Sequence, residues 1–148
     1  MRALLVVMLA CITTGCGGSA SGPSSSLNLT GSWSGMVGQP QSGSALRLTW
    51  IATQSGTTVS GPATLVKPST DVPATGTMAG TLTGSQLMLT YEVPAGSVPV
   101  YLSCTISGSG TATATAQSIM GALQLVFTNC LGSGLETTES PQFTLVKQ

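Results

Sequence analysis

The sequence predicts an all-β fold, a single eight-stranded antiparallel up-and-down barrel. Charged residues make up only 5% of the chain and His is absent, whereas Thr, Ser, Gly and Val are abundant. Turn-forming residues recur at intervals of roughly 8 to 14 residues between segments of alternating apolar and polar side chains, as in barrels and sandwiches. No segment has the 3.6-residue apolar period of an amphipathic helix. A β-sandwich is the alternative, because hairpins alone do not fix the global strand order.

Three hairpins follow from the turn residues, with turns expected at 54–57, 83–86 and 117–118. A shift of one residue would move the apolar side chains to the opposite face, so each register is well specified. Small residues face large ones across the strands, as in a tapering barrel interior. The inward pairs include Trp50–Gly61 and Leu48–Ala63 in the first hairpin, Leu82–Leu87 and Gly80–Leu89 in the second, and Ala112–Leu123 and Gly110–Leu125 in the third.

A first strand near 30–37 and a last strand near 142–147 complete the eight, and pairing them would remove both sheet edges. In such a meander the three tight turns share one end of the barrel, where the first strand must also begin. We expect the longer connections at the opposite, distal end, at 38–44, 67–76, 94–102 and 131–141.

The N-terminal segment has the pattern of a secretory signal, with one basic residue and then an apolar run over 3–12 that is too short to span a bilayer. Thr13-Thr14-Gly15-Cys16 resembles the bacterial lipobox, whose Cys receives a diacylglycerol after the signal is removed. The resemblance implies a signal peptide over 1–15, a lipidated Cys16 with a Gly/Ser-rich tether over 16–27, and a barrel domain over 28–148. Lipidation at Cys11, or none, remain as alternatives.

A lipoprotein of this kind is expected in the bacterial cell envelope, held by two or more acyl chains, which anchor stably. In enteric-type bacteria, an Asp after the lipidated Cys retains lipoproteins at the inner membrane. Gly17 occupies that position here, so the resemblance favours the outer membrane if the host has one.

Cys104 and Cys130 remain in the chain after removal of the signal. In an oxidising envelope compartment an even pair indicates a disulfide, and neither CxxC spacing nor a His supports a redox or metal site. The expected register places Cys104 opposite Leu131, so a bulge near 128–129 would have to bring the two sulfurs together.

Gly31-Ser32-Trp33 at the start of the first strand resembles the Gly-x-Trp opening of lipocalin- and avidin-like (calycin) barrels. The resemblance implies an eight-stranded meander plugged at one end by Trp33, and many such barrels bind small apolar ligands. Some small periplasmic protease inhibitors have a similar barrel with one disulfide. Lipocalins pack an Arg from the last strand over this Trp, whereas Lys147 is the only cation there. We expect Trp33 and Trp50 to be core residues rather than ligand-stacking ones.

The residue inventory excludes most chemistry. There is no basic patch for nucleic acid, and a chain without His lacks the base of a serine triad and the usual zinc ligands. No calcium-loop motif is present. We therefore expect no enzyme activity, no cofactor and no metal.

A non-catalytic protein, anchored to the membrane by its N-terminal lipid, is the functional expectation. It would bind a small apolar ligand in the barrel mouth. The alternative is a protein-interaction, structural or protease-inhibitor-like envelope module that uses the distal loops, where binding residues concentrate on rigid scaffolds. The candidate distal residues are Asp71, Tyr101, Glu136 and Glu139.

Overall fold

A computed structural model describes residues 27–38, 45–69, 71–94, 105–128 and 136–148. This part of the chain contains no helix long and apolar enough to cross a bilayer. Its nine strands are β1 (Gly31–Val37), β2 (Leu46–Ser55), β3 (Thr58–Lys67), β4 (Val72–Thr83), β5 (Gln86–Val93), β6 (Thr105–Ala114), β7 (Ser118–Thr128), β8 (Glu136–Glu139) and β9 (Gln142–Lys147).

Eight of these strands close into an antiparallel barrel. The strands β1 to β7 are neighbours in sequence order around the ring. β9 closes it by pairing with β7 on one side and with β1 on the other. Closure leaves no free edge along the ring, which a two-sheet sandwich would have. The predicted up-and-down barrel is confirmed.

β8 lies outside the ring and was not predicted, since 131–141 was expected to be a loop. β8 pairs with the last residues of β7, and β9 pairs with the first residues of β7. Both strands pair with β7 in the same register. Pro141, which has no N–H to donate, separates the two strands. β8 forms because β7 continues past the end of β9 and presents unpaired backbone groups there. The predicted 67–76 connection is also too long, because β4 begins at Val72.

The second hairpin has the predicted register, with Leu82 opposite Leu87 and Gly80 opposite Leu89. The first hairpin is shifted by two residues, so that Trp50 faces Ala63 instead of Gly61. Its turn is centred on 56–57, one residue later than predicted. Gly56 has a φ of 60°, as a two-residue turn with glycine at its first central position requires.

The third hairpin is also shifted by two residues, so that Gly110 faces Leu123 instead of Leu125. A side-chain hydrogen bond explains the wider turn, because the Thr115 hydroxyl accepts from the Ser118 amide at 2.9 Å. A two-residue shift keeps every side chain on its predicted face. Cys104 and Cys130 lie outside the described residues.

The inner face of the barrel is one apolar cluster, and the described residues include no buried polar or charged side chain apart from the polar tips of aromatic residues. Alternation of inward apolar and outward polar residues along each strand produces this separation. The largest fully buried side chains are Trp33, Trp50, Leu29, Leu48, Met78, Leu87, Leu89, Ile119, Leu123, Leu125, Leu145 and Val37.

The seam between the first and last strands depends on a glycine. A Cβ built on Gly35 of β1 would overlap the carbonyl oxygen of Thr144 in β9. The two backbones therefore approach more closely there than any residue with a side chain allows.

Gly35→Ala is expected to lower the free energy of unfolding by about 2 kcal/mol or more, because the seam must open to admit a methyl group. Gly56→Ala is the control, since its Cβ would meet nothing within 4 Å and only the positive φ is penalised, by about 1 kcal/mol. Urea denaturation measures both. Equal losses would contradict the close approach at the seam.

Candidate functional site

The two ends of the barrel differ in structure. The tight-turn end carries the turns at 56–57, 84–85 and 115–117, together with the start of β1. The distal end carries the connection 68–71, the ends of β1, β5 and β7, and β8. Each functional candidate belongs to one of these ends.

The chain segment before β1 closes the tight-turn end. Leu29 is fully buried, and its carbonyl accepts a 2.7 Å hydrogen bond from Trp33 Nε1. Its amide donates at 2.7 Å to Gln54 Oε1, and Gln54 Nε2 donates at 3.0 Å to the carbonyl of Leu27. The chain therefore enters the barrel at a fixed place, beside the first hairpin turn.

Lys147 completes this plug. Its ammonium lies 5.5 Å from the centroid of the Trp33 ring, a cation–π geometry that contributes about 0.5 to 1 kcal/mol or more as the site is desolvated. A Cβ on Gly31, whose φ is 141°, would come within 2.9 Å of Lys147 Cε. Lys147 therefore lies over the Trp33 ring, and the absence of a side chain at Gly31 leaves room for its aliphatic part.

Trp50 lies directly opposite Trp33 in the register and is fully buried, but its Nε1 has no hydrogen-bond partner. An unsatisfied buried donor costs about 1 to 3 kcal/mol. Tyr91, in contrast, donates its hydroxyl to the carbonyl of Ala74 at 3.2 Å. Burial raises the pKa of Tyr91 well above its usual range, so the hydroxyl stays protonated as a donor. Both tryptophans are thus part of the core.

The candidate polar residues lie at the distal end without forming a cluster. Asp71 has a φ of 52° and forms a 3.7 Å ion pair with Arg47, in which both side chains are exposed and the energy is small. Glu136 begins β8 and Glu139 ends it. Asp71 follows β3, which is separated from β7 and β8 by several strands around the ring. Tyr101 lies outside the described residues.

The carboxylates of the described residues form no metal-binding cluster. Glu92, the remaining carboxylate, lies on β5 near its distal end. Nowhere in the described ranges do three His, Cys, Asp or Glu side chains come close enough to hold a metal ion. Arg47 and Lys67 lie at the same end, where the four carboxylates outnumber the two cations.

The barrel mouth at the distal end is apolar. Leu46 and Phe127 are partly buried and pack on the core, and Ile106 on β6 lies opposite Phe127. Leu65 and Phe143 are buried in the same apolar cluster.

An open depression of about 580 Å³ lies on the outer wall, across β3 to β6, and not inside the barrel. Hydroxyl-bearing residues such as Thr81, Thr90 and Thr111 surround Met88 there, which is 67% exposed. The depression is shallow and lacks a charged or buried polar group.

No protein-family model matches the chain, and no curated protein is significantly similar to it. The closed eight-stranded antiparallel barrel is consistent with a calycin-like architecture. Likeness of fold carries no ligand with it.

Sequence reasoning missed Gln54, which fixes the chain before β1. A signal was present, because residues 46, 48, 50 and 52 point inward and Gln54 continues that series as a polar side chain. A polar residue at an inward position needs a hydrogen-bonding partner.

The two tryptophans provide a matched pair of variants. Trp33→Phe removes the hydrogen bond to Leu29 and weakens the contact with Lys147, so it is expected to cost about 2 kcal/mol more than Trp50→Phe. Trp50→Phe loses similar volume but no hydrogen bond. Chemical denaturation of both variants tests this, and an equal or larger loss for Trp50→Phe would contradict the partner assignment.

Proposed function

We propose that this chain is a lipid-anchored, non-catalytic protein of the bacterial cell envelope that uses the distal end of its barrel for binding. The observation that carries the proposal is the fixed place where the chain enters the barrel. Leu29 and Gln54 hold residues 27–30 at the tight-turn end, so an anchor at Cys16 pulls on that end. The distal end then faces away from the membrane.

Localisation in the envelope is proposed from the N-terminal sequence, with residues 1–15 as a signal peptide and Gly17 favouring an outer membrane. A Cys104–Cys130 disulfide is part of the same proposal, because it needs the oxidising compartment that such a signal leads to. The lack of His and the separation of Asp71 from the β8 glutamates support a non-catalytic role.

A small apolar molecule is the proposed ligand, and the mouth formed by Leu46, Ile106 and Phe127 is its proposed contact surface. These side chains are inward-facing apolar groups at the distal ends of their strands, and Val37 and Val93 lie opposite Leu46 and Ile106. Because the interior beneath them is filled, the ligand would be held at the mouth and would stay partly exposed.

Recognition of a second envelope protein is the other candidate, including a structural or protease-inhibitor-like role. The filled interior favours it, since protein recognition needs a presented surface and no internal cavity. The acidic distal end, with Asp71, Glu92 and the two β8 glutamates, would select for a basic partner surface.

Cys16→Ser is expected to abolish acylation in the native host, whereas Cys11→Ser, the control within the signal segment, should leave it unchanged. Intact mass measurement of the envelope protein checks both variants. The wild-type mass should correspond to a chain that begins at Cys16 and carries acyl groups. An unmodified wild-type chain would overturn the lipid-anchor proposal.

Native mass spectrometry of the protein from its own envelope tests the ligand. An adduct is expected that Phe127→Ser weakens at least about tenfold, a loss of about 1.4 kcal/mol, and that Met88→Ser on the outer wall leaves unchanged. A wild-type mass equal to that of the acylated chain alone would count against the small ligand and favour a protein partner.

A further inference from the structure

Three exposed apolar side chains lie on neighbouring strands around the place where the chain enters the barrel. Ile51 on β2, Met120 on β7 and Val146 on β9 are 57%, 52% and 48% exposed. We call these three residues the wall patch. Single exposed apolar residues are ordinary on protein surfaces, but three on adjoining strands need an explanation.

The pairing places the wall patch on both sides of β1. Ile51 is opposite Ser32, and Val146 is opposite Ser34 on β1 and opposite Ser118 on β7. Met120 lies two residues further along β7 than Ser118 and is opposite Thr144. All three residues belong to the tight-turn half of their strands, so the patch surrounds the first residues of β1.

The two ends of the barrel also differ in charge. All four carboxylates belong to the distal end, because Asp71 follows β3, Glu92 is near the end of β5, and Glu136 and Glu139 lie on β8. Arg47 at the start of β2 and Lys67 at the end of β3 lie at the same end, so carboxylates outnumber cations there by four to two. Lys147 is the one charged residue that the described chain places at the tight-turn end. An anionic lipid surface repels carboxylates and would accept this end.

The proposed lipid anchor keeps the barrel close to the lipid surface. The segment 17–27 can extend to at most roughly 40 Å, and it joins the barrel at Leu27, beside the patch. A tether of this length allows the wall around β1 to reach the bilayer. Met88, the other strongly exposed apolar residue of the described chain, lies on β5 on the far side of the ring.

We propose that the wall patch docks on the phospholipid bilayer that holds the lipid anchor, so that the barrel rests on the membrane along β2, β1, β9 and β7. The inference rests on the proposed lipid anchor and adds a second, non-covalent contact. Apolar side chains at the headgroup boundary lose water and add to the affinity that acyl chains supply.

Methionine oxidation tests the docking with native residues. Met120 and Met88 have similar exposure, and oxidation to the sulfoxide follows exposure, so the free barrel should oxidise both at similar rates. The acylated full chain on vesicles of phosphatidylethanolamine and phosphatidylglycerol is treated with peroxide and digested for mass spectrometry. Met120 is expected to oxidise at least about threefold more slowly than Met88.

Val146→Asp is the disrupting variant, because it adds a carboxylate at the centre of the patch, and Met120 should then oxidise at nearly the rate of Met88. Thr90→Asp is the control on the opposite wall and should leave the protection of Met120 unchanged. Circular dichroism of both variants checks that the barrel is intact.

The outcomes separate the two proposals. An acylated chain in which Met120 and Met88 oxidise equally overturns the docking and leaves the lipid anchor standing. A chain without the acyl mass overturns both. Protection that increases with the number of protein copies per vesicle assigns the patch to a second copy and overturns the lipid assignment.

Discussion

The pairing of the first strand with the last is the interaction on which the rest of this structure depends. β1 lies between β2 and β9, and without it the sheet would have two free edges and an exposed apolar face. Gly35 permits the close approach of β1 to β9, and Trp33 extends from β1 into the core. The contact of Lys147 with Trp33 then joins the first and last strands through their side chains.

Closure at this seam also gives the molecule its polarity. β1 begins at the tight-turn end, where Leu27 is held beside the first hairpin turn, and the carboxylates are at the other end. The direction of β1 determines where the proposed anchor, the proposed membrane contact and the proposed binding mouth lie. An opposite direction of β1 would exchange the membrane side and the binding side.

The sequence was most informative where alternation and turn chemistry agreed. The hairpin at Gly84 was predicted in its observed register, with glycine at the first central position of the turn. The first hairpin has the same turn at Gly56, but the prediction placed that glycine second and shifted the register by two residues. The register of the third hairpin is also shifted by two residues. The hydrogen bond of the Thr115 hydroxyl with the Ser118 amide accompanies this shift, and composition does not reveal it. The predicted core residues are still correct, because a register shift of two residues leaves each side chain on the same face of the sheet.

The distal end could be predicted only in outline. β8 depends on how far β7 continues past β9, which is a tertiary property that no local pattern encodes. The binding residues were harder still, because a chain with so few charges and no His provides few chemical signals. Gln54 shows what was recoverable, since a polar residue in an inward series indicates a specific partner.

Hydrogen exchange of the backbone amides tests the closed seam most directly. If β1 and β9 close the ring, their paired amides should be protected to nearly the same degree as those of β4 and β5, since opening the seam would expose the whole core. Exchange about 100-fold faster in β1 and β9 than in β4 and β5 would mean that the sheet opens locally at these strands. That result would contradict a closed barrel.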